Sequence, residues 1–95
     1  MTLKEIYLEK IEGQLKEWTA KIEELKAKAE KATAEKKVEL QKAVDELKNK
    51  KEAAQKKLEE IKKAGAETWE KLREKTDKAL DEVKAFWESI KTKFH

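Results

Sequence analysis

Between Leu8 and Leu25 the large apolar residues are Leu8, Ile11, Leu15, Trp18, Ile22 and Leu25, spaced three, four, three, four, three. At about 100° per residue, that spacing keeps one narrow seam of an α-helix apolar, as in a helix packed against another helix. Every position between is charged, polar, small or glycine. The same beat, with slips, runs to Phe94. The chain is therefore expected to be all-α, a coiled coil or helical bundle.

Composition narrows the architecture further. Charged residues make up 47% of the chain and hydrophobic ones 38%, with two Gly and no Pro. Twelve of the hydrophobic residues are Ala, which leaves about two dozen large apolar side chains, an inventory that fits a helical bundle or coiled coil better than a globular core. Ala, Glu, Lys and Leu dominate, all strong helix formers.

At the start, Thr2 with Glu5 three residues on reads as a capping box. Leu3, Ile6, Tyr7 and Leu8 widen the apolar face there. Gly13 interrupts the strongest run on its flank; a mid-helix Gly costs up to ~1 kcal/mol relative to Ala. It either permits close approach of a neighbouring helix or is merely tolerated. From Lys26 to Lys37 the seam thins to Ala29 and Ala32, and Val38, Leu40, Val44 and Leu47 resume it one residue out of register. A turn giving three helices of similar length would absorb the shift, and so would a local change in supercoiling. KATAEKK holds no Gly, Pro, Asn, Asp or Ser, so the continuous helix is the expectation. Lys51 and Ala54 form a weak layer before Leu58 and Ile61. Gly65 comes after Lys62, Lys63 and Ala64 like a residue just past a helix C-terminus, and Thr68 is of a type that caps a following helix, although Ala66 and Glu67 equally suit a helix interior. The slip in the repeat here is either a break or a stutter in a continuous helix, and the break is the expectation.

This divides the chain into a long coiled-coil helix, residues 1–64, and a C-terminal amphipathic helix, residues 65–95, joined at Gly65. On the second helix Trp69, Leu72, Thr76, Ala79, Leu80, Val83, Phe86, Trp87, Ile90 and Phe94 share one broad face. Glu70, Glu74, Asp77, Asp81 and Glu88 line the other side, with Arg73, Lys84 and Lys91 along one boundary. Such a face suits burial on two sides in a bundle, or a membrane interface with basic side chains snorkelling at the edge. If the second helix folds back on the first, it covers only the stretch from about Val38 to Ile61. The apolar ladder from Leu3 to Leu25 then needs a second chain, which predicts a homo-oligomer, dimer or tetramer, sealed along Leu8, Ile11, Leu15, Trp18, Ile22 and Leu25.

Charge excludes several functions. The 24 basic and 21 acidic residues nearly balance, at +3. The local excess between Lys26 and Lys63, 13 basic against 8 acidic, lacks interleaved aromatics, so a nucleic-acid partner is not expected. Glu precedes Lys by four residues at Glu12/Lys16, Glu17/Lys21, Glu24/Lys28, Glu46/Lys50, Glu52/Lys56, Glu59/Lys63, Glu67/Lys71 and Glu74/Lys78. These pairs describe solvated helix faces, each contributing about 0.2–0.5 kcal/mol. There is no Cys, no run of ~20 apolar residues and no signal-peptide core, which points to an intracellular, bacterial-cytoplasmic setting, with peripheral membrane or organelle contact as the variant. The lone His95 and the lone Ser89 have no partner at catalytic spacing, and no Gly-rich loop could cradle phosphate. No enzyme activity, catalytic residue, cofactor or bound metal is expected.

YLEKIEGQLKEWTAKIEELKAKAEKA, KKEAAQKKLEEIKKAGAETWEKL and ALDEVKAFWESI together resemble small bacterial coiled-coil proteins, many without an assigned activity and some associated with stress responses. They are also similar to coiled-coil proteins encoded with magnetosomes in deep-branching magnetotactic bacteria. That resemblance implies iron-oxide (magnetite) contact through acidic side chains, for which Glu70, Glu74, Asp77, Asp81 and Glu88 are the candidates. The C-terminal face is similar in layout to apolipoprotein-type amphipathic helices. The expected role is a self-assembling scaffold that presents charged helix faces, with membrane or mineral surface binding as the alternative.

Overall fold

The computed structural model describes residues 1–94; His95 lies outside the described residues, and with it the reading of the lone imidazole. Three helices run in order: α1 (Leu3–Glu30), α2 (Ala34–Lys63) and α3 (Thr68–Lys93). They go up, down and up in an all-α bundle of 50 × 19 × 19 Å. At 1.5 Å per residue each helix is roughly 40–45 Å long, so all three span nearly the whole body.

The continuous helix over 1–64 is corrected at Lys31–Thr33. There α1 ends with the Lys31 N–H donating to the carbonyls of Ala29 and Lys28, and the Ala32 N–H donating to Ala29. Thr33 is extended, φ −65° and ψ 160°, and its carbonyl accepts from the Lys37 N–H at 2.7 Å to open α2. No left-handed residue is used, so the turn needs no glycine. Its signals were Thr33, an N-cap residue type, and the one-residue register shift. The energetic reason is burial. Interrupting a helix for three residues costs a few backbone bonds at about 1 kcal/mol net each, whereas each large seam side chain gains about 1.5–3 kcal/mol when covered.

The fold-back covers the ladder within the chain. Ile11, Leu15, Trp18, Ile22 and Leu25 are all buried, and Leu8 is half-buried because Tyr7 takes the inward position instead. A chain-to-chain seam along these residues would require them to stay bare, and here α2 and α3 cover all of them but Leu8. Val38 is corrected as well: it is 52% exposed, and Leu40, Ala43, Val44 and Leu47 carry the inward face. Ala54, Leu58 and Ile61 continue it, fully buried. Lys51, at the expected weak layer, donates from Nζ to Thr19 Oγ1 at 2.9 Å and so ties α2 to α1.

The break near Gly65 is present, in a form that does not use glycine's freedom. Ala64 is extended, φ −81° and ψ 149°, and Gly65 has no positive φ. Thr68 is the first helical residue rather than the cap, which is Glu67 without a side-chain bond. At the start, Thr2 Oγ1 accepts from the Glu5 N–H at 3.1 Å and donates to the Glu5 carboxylate, half of the expected box. Lysines of α1 close two other helix ends. Lys4 Nζ donates to the carbonyls of Lys62 and Ala64 at 3.2 and 2.8 Å, and Lys28 Nζ to that of Phe94 at 3.0 Å. A cation at a helix C-terminus satisfies orphan carbonyls and opposes the negative end of the dipole.

Gly13 lies on the exposed side of α1, and a Cβ added there meets nothing within 4 Å. The close-approach reading is thereby excluded. Gly13→Ala is expected to raise stability by about 0.5–1 kcal/mol through helix propensity, read from urea unfolding; a loss of stability would contradict the open space.

Candidate functional site

The parallel helices α1 and α3 are bridged by large side chains over their whole length. Tyr7 faces Trp69, ring centroids 6.0 Å apart, and Trp18 meets Trp87 edge to face at 6.0 Å. The Tyr7 hydroxyl donates to Asp77 Oδ1 at 2.6 Å and lies 3.3 Å from the Arg73 carbonyl. Burial first, then the Asp77 hydrogen bond and its charge, push the Tyr7 pKa well above its ordinary 10.0. Unfolded chains ionise Tyr near 10 while the native chain holds it neutral, so this contribution is complete below pH 10 and fades as pH rises beyond it. Because Tyr7 is the only Tyr, phenolate absorbance isolates it: native protein should resist ionisation where urea-unfolded protein titrates. Coincident curves would contradict the buried pair.

Cations lie against both buried and half-buried rings. Lys21 Nζ lies 4.5 Å from the Trp18 ring centroid and 5.7 Å from that of Trp87. Arg73 covers Tyr7 at 5.5 Å, Lys50 covers Phe86 at 5.7 Å, and Lys93 covers Phe94 at 5.6 Å. Long basic side chains can bury their stems along apolar surface while the charge lies over a ring face, an attraction of about 0.5–2 kcal/mol. None of the eight Glu-before-Lys pairs closes among the described residues. The ion pairs that form are Lys26–Glu23, Lys62–Glu12, Lys62–Glu59 and Lys91–Glu88. Of these Lys62–Glu12, at 3.0 Å, joins α2 to α1, and the hydrogen bond from Lys62 to Glu12 raises the Lys62 pKa.

Toward the α1–α2 turn, Trp87, Ile90 and Phe94 with Leu25 floor a recess of about 310 Å³ rimmed by Lys28 and Lys91. On the other side of Phe94, Lys28, Lys31, Lys36 and Lys93, with Glu39 among them, surround a second one of about 440 Å³. Further toward the middle of the groove, Trp18, Lys21, Asp81, Lys84 and Trp87 line a third, about 330 Å³.

Most of the expected second-helix face is used inside the bundle. Trp69, Leu80, Val83 and Ile90 are buried, while Leu72, Phe86, Trp87 and Phe94 are half-buried against the core. Thr76, also buried, donates its hydroxyl to the Leu72 carbonyl at 2.9 Å. The acidic set Glu70, Glu74, Asp77, Asp81 and Glu88 is exposed on α3, yet not uniform: Asp77 is held by Tyr7, and Glu88 is paired with Lys91 at 3.9 Å. Among the described residues, no group of three His, Cys, Asp or Glu is placed to hold a metal ion. None of the described helices is long and apolar enough to cross a membrane. Lys21 and Arg73 were missed as site residues. Their signal was a base three residues after Trp18 and one four residues after Trp69, on the margin of an apolar stripe. Comparison with family models, curated proteins and solved structures finds no match.

Proposed function

We propose that the chain is a non-enzymatic interaction module, a ready-folded bundle that presents charged helix faces to a partner. The observation that carries this reading is the in-chain burial of the apolar stripes of all three helices, which leaves ion-rich faces outside and lysines over the half-buried Phe86, Trp87 and Phe94. Self-association would then have to use outer residues such as Met1, Leu3, Ile6 and Val38, which are exposed, rather than the inner ladder. A thermal-shift panel tests the reading. A polyionic probe (phosphatidylserine vesicles, heparin or polylysine) is expected to move the melting midpoint, with nucleotides and divalent metal ions leaving it in place. The reverse pattern would overturn it.

A second reading, contact with an anionic lipid surface, has its own support in the half-buried Trp87 and Phe94 beside Lys28, Lys31, Lys91 and Lys93. Aromatic rings at headgroup depth with lysines around them are the usual chemistry of interfacial contact. Phosphatidylserine vesicles should then blue-shift Trp emission, and Trp87→Glu should abolish the shift. An unchanged spectrum removes this reading and leaves protein or polyelectrolyte partners. The acidic side of α3 lends mineral binding no comparable geometric support.

A further inference from the structure

We infer that the middle of the α1–α3 groove, between Trp18 and Trp87, is a binding site for a small quaternary or methylated ammonium compound, with Lys21 as the built-in cation that occupies it beforehand. Trp18 and Trp87, set edge to face at 6.0 Å, both line the same recess. Tryptophan has the strongest cation-attracting face among the side chains, and aromatic cages of this kind hold alkylated ammonium groups that are too weakly hydrated to prefer water. The recess already holds a cation: Lys21 Nζ stands 4.5 and 5.7 Å from the two centroids. This is the more telling because Glu17, one turn earlier on α1, is the carboxylate that helical spacing offers Lys21. Among the described residues Lys21 is in no ion pair and instead lies over the rings.

The displaced pairing leaves carboxylates in the same recess. Glu17 from α1 and Asp81 from α3 both line it, and neither belongs to an ion pair among the described residues. They supply negative potential, opposed on the rim by Lys84. About 330 Å³ is open beside Lys21, and the space its side chain vacates over the rings adds to it, enough for a trimethylammonium group. Trp18 is only 8% exposed with Lys21 over its face, so the lysine has to swing out for a ligand to enter. Its flexible stem lies at the protein surface, and such rotations are fast. Intrinsic occupancy by Lys21 weakens binding to the native chain, and its removal unmasks the site.

Choline, free trimethyllysine and the uncharged tert-butyl analogue of choline are the probes, followed by saturation transfer to their methyl protons so that the readout does not depend on the tryptophans. Choline is expected to bind Lys21→Ala about 3- to 30-fold more tightly than the native chain, the range corresponding to one cation–π contact. The uncharged analogue should bind several-fold more weakly than choline. Trimethyllysine binding as well as choline would place recognition in the ammonium group; choline alone would make it a site for the hydroxyethyl compound. Trp87→Leu in the Lys21→Ala background should abolish saturation. Trp87 is half-buried, so helical circular dichroism should confirm that this variant folds. Absent saturation in Lys21→Ala, equal binding of the uncharged analogue, or survival of binding in Trp87→Leu would each overturn the assignment and leave Lys21 as a packing element.

Discussion

In dilute solution the chain is expected to scatter as a single molecule, with a radius of gyration near 15.3 Å and a long dimension near 50 Å. A helix running unbroken from the N-terminus to Gly65 would instead be ~90 Å long at 1.5 Å per residue. It would also need a second chain to cover its ladder. The difference is nearly twofold in length, far beyond what hydration shells contribute. The cause is the turn at Lys31–Thr33, which brings α2 back along α1, after which α3 closes the third side. Because the core is intramolecular, the melting midpoint should also be independent of protein concentration, unlike that of an obligate dimer. A two-chain mass with a ~90 Å long dimension would contradict the turn.

Leu58→Ala should lower the melting midpoint by roughly 8–40 °C, while Val38→Ala should barely move it. Leu58 is 0% exposed in the C-terminal half of α2, and truncating a fully buried Leu costs about 2–5 kcal/mol, transfer and cavity together. In a domain of this size each kcal/mol shifts the midpoint by about 4–8 °C. Val38 stands 52% exposed on the first turns of the same helix, where small changes stay within about 0.5 kcal/mol. The contrast is diagnostic, since the apolar repeat alone assigns both residues to one seam. Comparable losses at the two positions would show that Val38 is covered after all, and with it that α2 starts in a different register.

Much of the fold was legible because helical periodicity is local. The ladder from Ile11 to Leu25 and the broad face of α3 are buried along the stripes that spacing predicts, and the break after Lys63 lies where the charges and Gly65 placed it. The turn at Lys31–Thr33 was marked only by Thr33 and the one-residue register shift, because Lys31, Ala32 and Thr33 can each sit in a helix; the gain from covering the ladder is what favours the turn over a continuous helix. Leu8 and Tyr7 were exchanged for a related reason. Both fit the repeat, and the hydrogen bond from the Tyr7 hydroxyl to Asp77, 70 residues away, decides which points inward. The candidate groove was the least legible part. Helical spacing offers Lys21 both the Glu17 carboxylate and the Trp18 ring, and α3, arriving with Trp87, adds a second ring on the side of Trp18.

The order of residues by itself determined that the chain is helical, where its apolar stripes lie and which faces stay charged, because these depend on neighbours within about one helical turn. Tertiary structure decided where the helices end, that the ladder is covered from within, and which cation rests on which ring. Those outcomes depend on surfaces that meet only after the chain reverses, and the free energy of bringing them together exceeds the small local preference for continuing a helix through Lys31, Ala32 and Thr33.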